Sequence, residues 1–119
     1  MKYFLSFFIL GIVLLACRKE EQEDITPVDT TCDTTISFSE DIVQVMIQSC
    51  ATAGCHNAAA SSAGYVLENY PQISQHANII LRSIRHEPNV SNMPKGAPKL
   101  SDDYIDKFFC WIEQGRIDN

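Results

Sequence analysis

The sequence predicts an all-α domain of three to five short helices over residues 36–119, preceded by a signal peptide and a flexible tether. Three observations carry that prediction. Apolar residues recur at helical spacing in three runs: Ile42, Val43, Val45, Met46 and Ile47; Ile73, Ala77, Ile80, Leu81 and Ile84; Ile105, Phe108, Phe109 and Ile112. Each run follows a side chain suited to capping a helix start, namely Ser37 or Ser39, Asn69 and Ser101. Between the second and third runs, Pro88, Pro94, Gly96 and Pro98 exclude a regular helix or a central strand.

At the start of the chain, Lys2 precedes an apolar run from Tyr3 to Ala16, interrupted by Ser6 and Gly11 and too short to span a bilayer comfortably. Residues 1–16 therefore read as an export signal. The run closes in Leu14-Leu15-Ala16-Cys17, which resembles the lipobox of bacterial lipoproteins. That resemblance implies lipid on Cys17 and an exported protein, anchored to the membrane on the periplasmic side or at the cell surface. Residues 17–35 follow as a tether, charged from Arg18 to Asp24 and then rich in Thr, Asp and Pro. Lys19 with two acidic residues after it also looks like the signal that sends some such lipoproteins to the surface.

The formal net charge of the whole chain is −6, and removing residues 1–16, whose one charge is Lys2, takes it to −7. An acidic domain is a poor candidate for nucleic acid or anionic lipid and favours partner proteins with a basic docking face. Residues 36–119 number 84, a length at which an unaided apolar core is marginal.

The first helix begins at Ser37 or Ser39, with Glu40 at capping-box distance from Ser37, and ends near Ser49. It delivers Cys50 into Cys50-Ala51-Thr52-Ala53-Gly54-Cys55-His56. Cys55 followed directly by His56 has the form of a c-type haem attachment site, in which a sulfur bonds a vinyl edge while the imidazole ligates iron. Four residues separate the two cysteines, where the usual run has two, so the loop must bulge, and Gly54 supplies the positive φ for it. A local Cys50–Cys55 disulfide or part of a zinc site are the competing readings. The small residues Asn57 to Gly64 read as a loop crossing a crowded surface. Asn69 then caps a helix from about residue 70 to 84, with Pro71 in its first turn. Ser101 caps the last helix, Asp102 and Asp103 suit its positive end, and Gly115 stops it.

An N-terminal helix running into a Cys-Cys-His loop, a middle helix, a Met93-Pro94 loop and a closing Trp111-Ile112-Glu113-Gln114-Gly115 together resemble a small class I cytochrome c domain. More narrowly, the chain is similar to short bacterial lipoproteins that carry such a domain with an expanded attachment motif. The resemblance implies a small cytochrome c-like fold around one covalent haem c. Cys50 and Cys55 would be its thioether attachments, His56 the proximal ligand and Met93 the distal ligand. A methionine is otherwise a flexible core filler, and His86 and His76 are the rival ligands. Lipid on Cys17 and haem on Cys50 and Cys55 leave Cys32 and Cys110, which in an oxidising compartment should pair.

Two functions follow. The first is an anchored one-electron carrier, not an enzyme, serving redox partner proteins; only an open sixth position would allow peroxidase-like or sensor chemistry. The second is a haem-free helical lipoprotein, stapled by Cys32–Cys110 and Cys50–Cys55, acting as an interaction module. No phosphate loop, nucleophile elbow or metal-hydrolase motif is present.

Overall fold

The computed structural model describes residues 31–119, so the signal peptide, Cys17 and most of the tether lie outside the described residues. Within that span the elements are helical: a π-type turn (Phe38–Ile42) running into α1 (Val43–Ser49), a single 3-10 turn (Ser62–Gly64), α2 (Tyr70–Ile84) and α3 (Asp102–Glu113), with no strand among the described residues.

Local chemistry sets each start. Ser37 Oγ accepts the Glu40 N–H at 3.3 Å, but the reciprocal bond to the Ser37 N–H comes from Asp41 Oδ2 at 3.0 Å. The wide first turn carries Asp41, one residue beyond the usual box position, round to that donor. Asn69 Oδ1 accepts the Gln72 N–H at 3.2 Å while Gln72 Oε1 accepts the Glu68 N–H at 3.0 Å, with Pro71 in the first turn as expected. Ser101 Oγ caps α3 through the Tyr104 N–H at 3.3 Å. Beyond α3, Gly115 at φ +92° lets Arg116 N–H reach Trp111 O at 2.8 Å and Gly115 N–H reach Ile112 O at 3.0 Å, a Schellman closure.

Burial follows the helical period on α2, where Ile73, Ala77, Ile80, Leu81 and Ile84 are all buried. On α3 the buried stripe is Tyr104, Ile105, Phe108 and Trp111, whereas Phe109 and Ile112 are half-buried. The helix is rotated toward its largest ring because Trp111 finds three aromatic neighbours: Phe38 and Phe108, both with centroids at 5.5 Å, and Tyr70 at 6.4 Å. Phe109, at the margin, instead lies under the Arg85 guanidinium at 4.9 Å.

The two ends of the domain are closed on each other. Cys32 and Cys110 form a disulfide with Cα atoms 5.3 Å apart, joining residues separated by 78 positions. Beside it Gln114 accepts the Ile36 N–H at 2.9 Å and donates to Thr34 O at 2.8 Å and Cys32 O at 3.3 Å. Asn119 Oδ1 accepts the Phe38 N–H at 2.9 Å, and Tyr70 Oη donates to Arg116 O at 2.7 Å. Residues 32–36 thus lie against α3 and its C-terminal extension.

Candidate functional site

A cleft of about 700 Å³ opens between the end of α1, the loop that follows it, the C-terminal half of α2 and the irregular segment before α3. Each wall has a local cause. Cys50 N–H and Ala51 N–H both bond Met46 O, at 2.9 and 3.0 Å, which stops α1 and turns the chain. Gly54 has φ +81°, the bulge anticipated for the four-residue spacing. The loop is then sewn to itself by Cys55 N–H to Thr52 O, His56 N–H to Cys50 O and Ser62 N–H to Cys55 O, each at 3.0 Å. Residues 58–60 and 63–64 are exposed, so the small side chains cross open solvent and not a crowded surface; Ser61 and Ala63 take positive φ, which small side chains tolerate at least cost.

The opposite wall is hung on α2. Met93 N–H donates to Ser83 O at 3.1 Å and His86 Nε2–H donates to Met93 O at 3.0 Å, fixing the segment around the cis Met93–Pro94 peptide. His86 therefore positions the loop through its backbone. His76 packs edge-on against Tyr65 at 4.8 Å, and Tyr65 in turn meets the His56 ring at 6.2 Å. His56 Nδ1–H donates to Tyr65 O at 3.3 Å, which leaves Nε2 as the free ring nitrogen.

Cys50, Cys55, His56 and Met93 all line this one cleft, but in unlike surroundings. Cys50 is buried and its Sγ lies 3.8 Å from Met46 Sδ, whereas Cys55 is exposed. Neither is in a disulfide, so the Cys50–Cys55 staple expected of the haem-free reading is absent. Met93 is partly buried and packed against the hydrophobic core.

The expectation of a one-electron carrier with a covalent haem held by His56 and Met93 is corrected by this arrangement. Among the described residues no three His, Cys, Asp or Glu side chains converge into a group that could hold a metal ion. The cross-link that completes the small core is the Cys32–Cys110 disulfide, which closes the domain without a prosthetic group. The donor set does not fit the haem reading, since the Cys50 thiol is turned toward Met46 in the core and Cys55 sits out in solvent.

Burial, with a smaller contribution from the neighbouring Cys55, pushes the Cys50 thiol up to about 11 from an ordinary 9.0. Burial also raises Tyr104, whose hydroxyl donates to Ile42 O at 3.4 Å, with nearby Cys50 adding to the shift. The sign for Cys50 follows from its neutral form being the one the fold holds. Its contribution is complete below about pH 9, where the unfolded thiol is still protonated, and is lost as pH rises through about 11. Between those limits unfolding should become easier by up to roughly 3 kcal/mol. Urea unfolding of the wild type and of Cys50→Ala at pH 8 and pH 11 checks this: the variant should lose distinctly less stability over that interval, and parallel losses would refute it.

Tyr65 and Lys95 in the cleft, and Tyr104 outside its lining, are among the residues not singled out from the sequence. Tyr65 carries the acceptor for His56 and bridges it to His76; Tyr104 is buried in the core near Cys50. Lys95 stands at the rim as the one Lys, Arg, Asp or Glu among the lining residues. Its position beside Pro94 in an irregular segment was readable, but nothing in the sequence says which wall that segment forms. No helix among the described residues is long and apolar enough to cross a membrane. Neither a family model, nor a curated protein, nor a solved structure matches this chain.

Proposed function

We propose that the chain is a haem-free, disulfide-stapled helical interaction module, carried on a lipidated tether through Cys17, that works by receiving an apolar group in its cleft. One observation supports this most: an open cleft of about 700 Å³, walled by Leu67, Ile80, Ile84 and Met93, in a domain whose ends are covalently closed. That volume lies within the ordinary range of small-ligand sites, which are mainly apolar with few polar groups. Backbone bonds fix the walls, Met93 N–H to Ser83 O on one side and His56 N–H to Cys50 O on the other, so less ordering has to be met on binding. The acidic exterior, at −6 for the whole chain, suits a partner protein with a basic face.

The test uses the full chain, produced with a cytochrome c maturation system and carried through export. Its visible spectrum should lack haem bands, and it should bind the neutral fluorescent probe N-phenyl-1-naphthylamine saturably at one equivalent. Ala97 is exposed and lines the cleft, so Ala97→Trp should obstruct the mouth without disturbing the core and weaken the probe at least about tenfold. A covalently retained haem, or probe binding indifferent to Ala97→Trp, overturns the proposal.

A further inference from the structure

The charge pattern of the cleft names the class of molecule it takes, on the reading that the cleft is the working surface. The chain carries 15 acidic residues against 9 basic ones, yet no Asp or Glu is among the residues lining the cleft. Its single formal charge is Lys95, which is exposed and forms no ion pair among the described residues. The other lysines and arginines with ion pairs spend their charge locally: Arg82 and Arg85 on Glu87, Lys99 on Asp102, Lys107 on Asp41 and Asp103. The apolar part of the lining includes Ile79, Ile80, Ile84, Leu67 and Leu100, beside uncharged polar side chains such as Ser83, Asn89 and Ser91.

An apolar interior with one unpaired cation at its rim, in an otherwise acidic molecule, is complementary to an amphiphile with one negative end. We propose that the cleft binds a small aliphatic monocarboxylate, with the hydrocarbon laid against α2 and the carboxylate at Lys95. The carboxylate is preferred over a cationic head because the one formal charge in the lining, the Lys95 ammonium, repels a cation and attracts an anion. It is preferred over a neutral head because Lys95, which has no ion pair among the described residues, can make a charge-assisted hydrogen bond to an anion that a neutral head cannot match. The Ile and Leu side chains of the lining give a hydrocarbon chain apolar surface to lie against. The exposed Cys55 thiol on the same cleft reports occupancy.

Calorimetric titration of the full chain with decanoate, decanol and decyltrimethylammonium at one ionic strength tests the assignment. Decanoate should bind with unit stoichiometry, about tenfold tighter than decanol, with the cation weakest. Lys95→Gln should bring decanoate to the affinity of decanol, while Lys95→Arg keeps the preference. Saturating decanoate should also slow alkylation of Cys55 by a neutral maleimide severalfold. Equal affinities for the three ligands, or a decanoate preference that survives Lys95→Gln, overturns this proposal while leaving an apolar cleft. Failure of every ligand, together with failure of the naphthylamine probe, instead removes the interaction-module reading on which it rests.

Discussion

Replacing Cys32 and Cys110 together by alanine should lower the stability of the domain by about 4 to 5 kcal/mol and its melting temperature by roughly 20 to 30 °C. The magnitude comes from the 78-position separation of the two cysteines, because a cross-link that closes so long a loop removes much of the freedom of the unfolded chain. The Gln114 side chain bonds Ile36, Thr34 and Cys32, and Asn119 bonds Phe38, so hydrogen bonds accompany the covalent link between the two ends. Urea unfolding of the double variant against the oxidised wild type, read by far-ultraviolet circular dichroism, measures the loss. Reduction of the wild type should give the same result. A double variant within about 1 kcal/mol of the oxidised wild type would show that the end-to-end contacts suffice without the bond.

Trp111→Ala should cost about 3 to 5 kcal/mol, the range for emptying a large aromatic site in a core. Trp111 is fully buried and touches rings from the first turn, from α2 and from α3 itself. Its Nε1–H donates to Ile117 O at 2.9 Å, so the alanine variant also releases the residues beyond α3. Those residues include Arg116, which donates to Ser74 O and Asn78 Oδ1 on α2, and Asn119, which receives the Phe38 N–H. Trp111→Phe keeps most of the packing and removes the donor, leaving Ile117 O to solvent, and should lose only about 1 kcal/mol. Chemical unfolding of the two variants separates packing from hydrogen bonding. A Trp111→Ala loss below about 1 kcal/mol would mean that Phe38, Tyr70 and Phe108 collapse to fill the space.

What was legible in the sequence was what depends on neighbours along the chain. Asn69 with Pro71, Ser101 with its acidic first turn, and Gly115 each act within four or five residues, and each does in space what its spacing implies. The buried face of α2 followed from period alone because that helix is covered on one side only. Facts that depend on a distant partner were less accessible. Spacing puts Ile105, Phe108, Phe109 and Ile112 on one face of α3; Ile105 and Phe108 are buried, but the bulk of Trp111 against Phe38 leaves Phe109 and Ile112 half-buried. The Ser37 box closes through Asp41 because the first turn is wide, and no residue pattern announces that width. Cys32 and Cys110 pair as the cysteine count implies, although that count sets Cys50 and Cys55 aside for haem and both are free thiols. Adjacency of Cys55 and His56 is a one-dimensional fact, whereas the direction of the Cys50 sulfur toward Met46 is a three-dimensional one.

The bond between Cys32 and Cys110 also has a topological meaning. It makes residues 32 to 110 a closed covalent ring, and every residue lining the cleft, from Gln48 to Leu100, belongs to that ring. A protease that nicks the exposed Ala58–Ala60 turn would therefore produce two peptides that stay joined, with each cleft wall still tied to the other. Tension drawn through the segment before Cys32 and through the residues after Cys110 would pass from one sulfur to the other and leave the enclosed polypeptide unstretched. For a domain held by one end and pulled through its other, the binding cavity is insulated from the force.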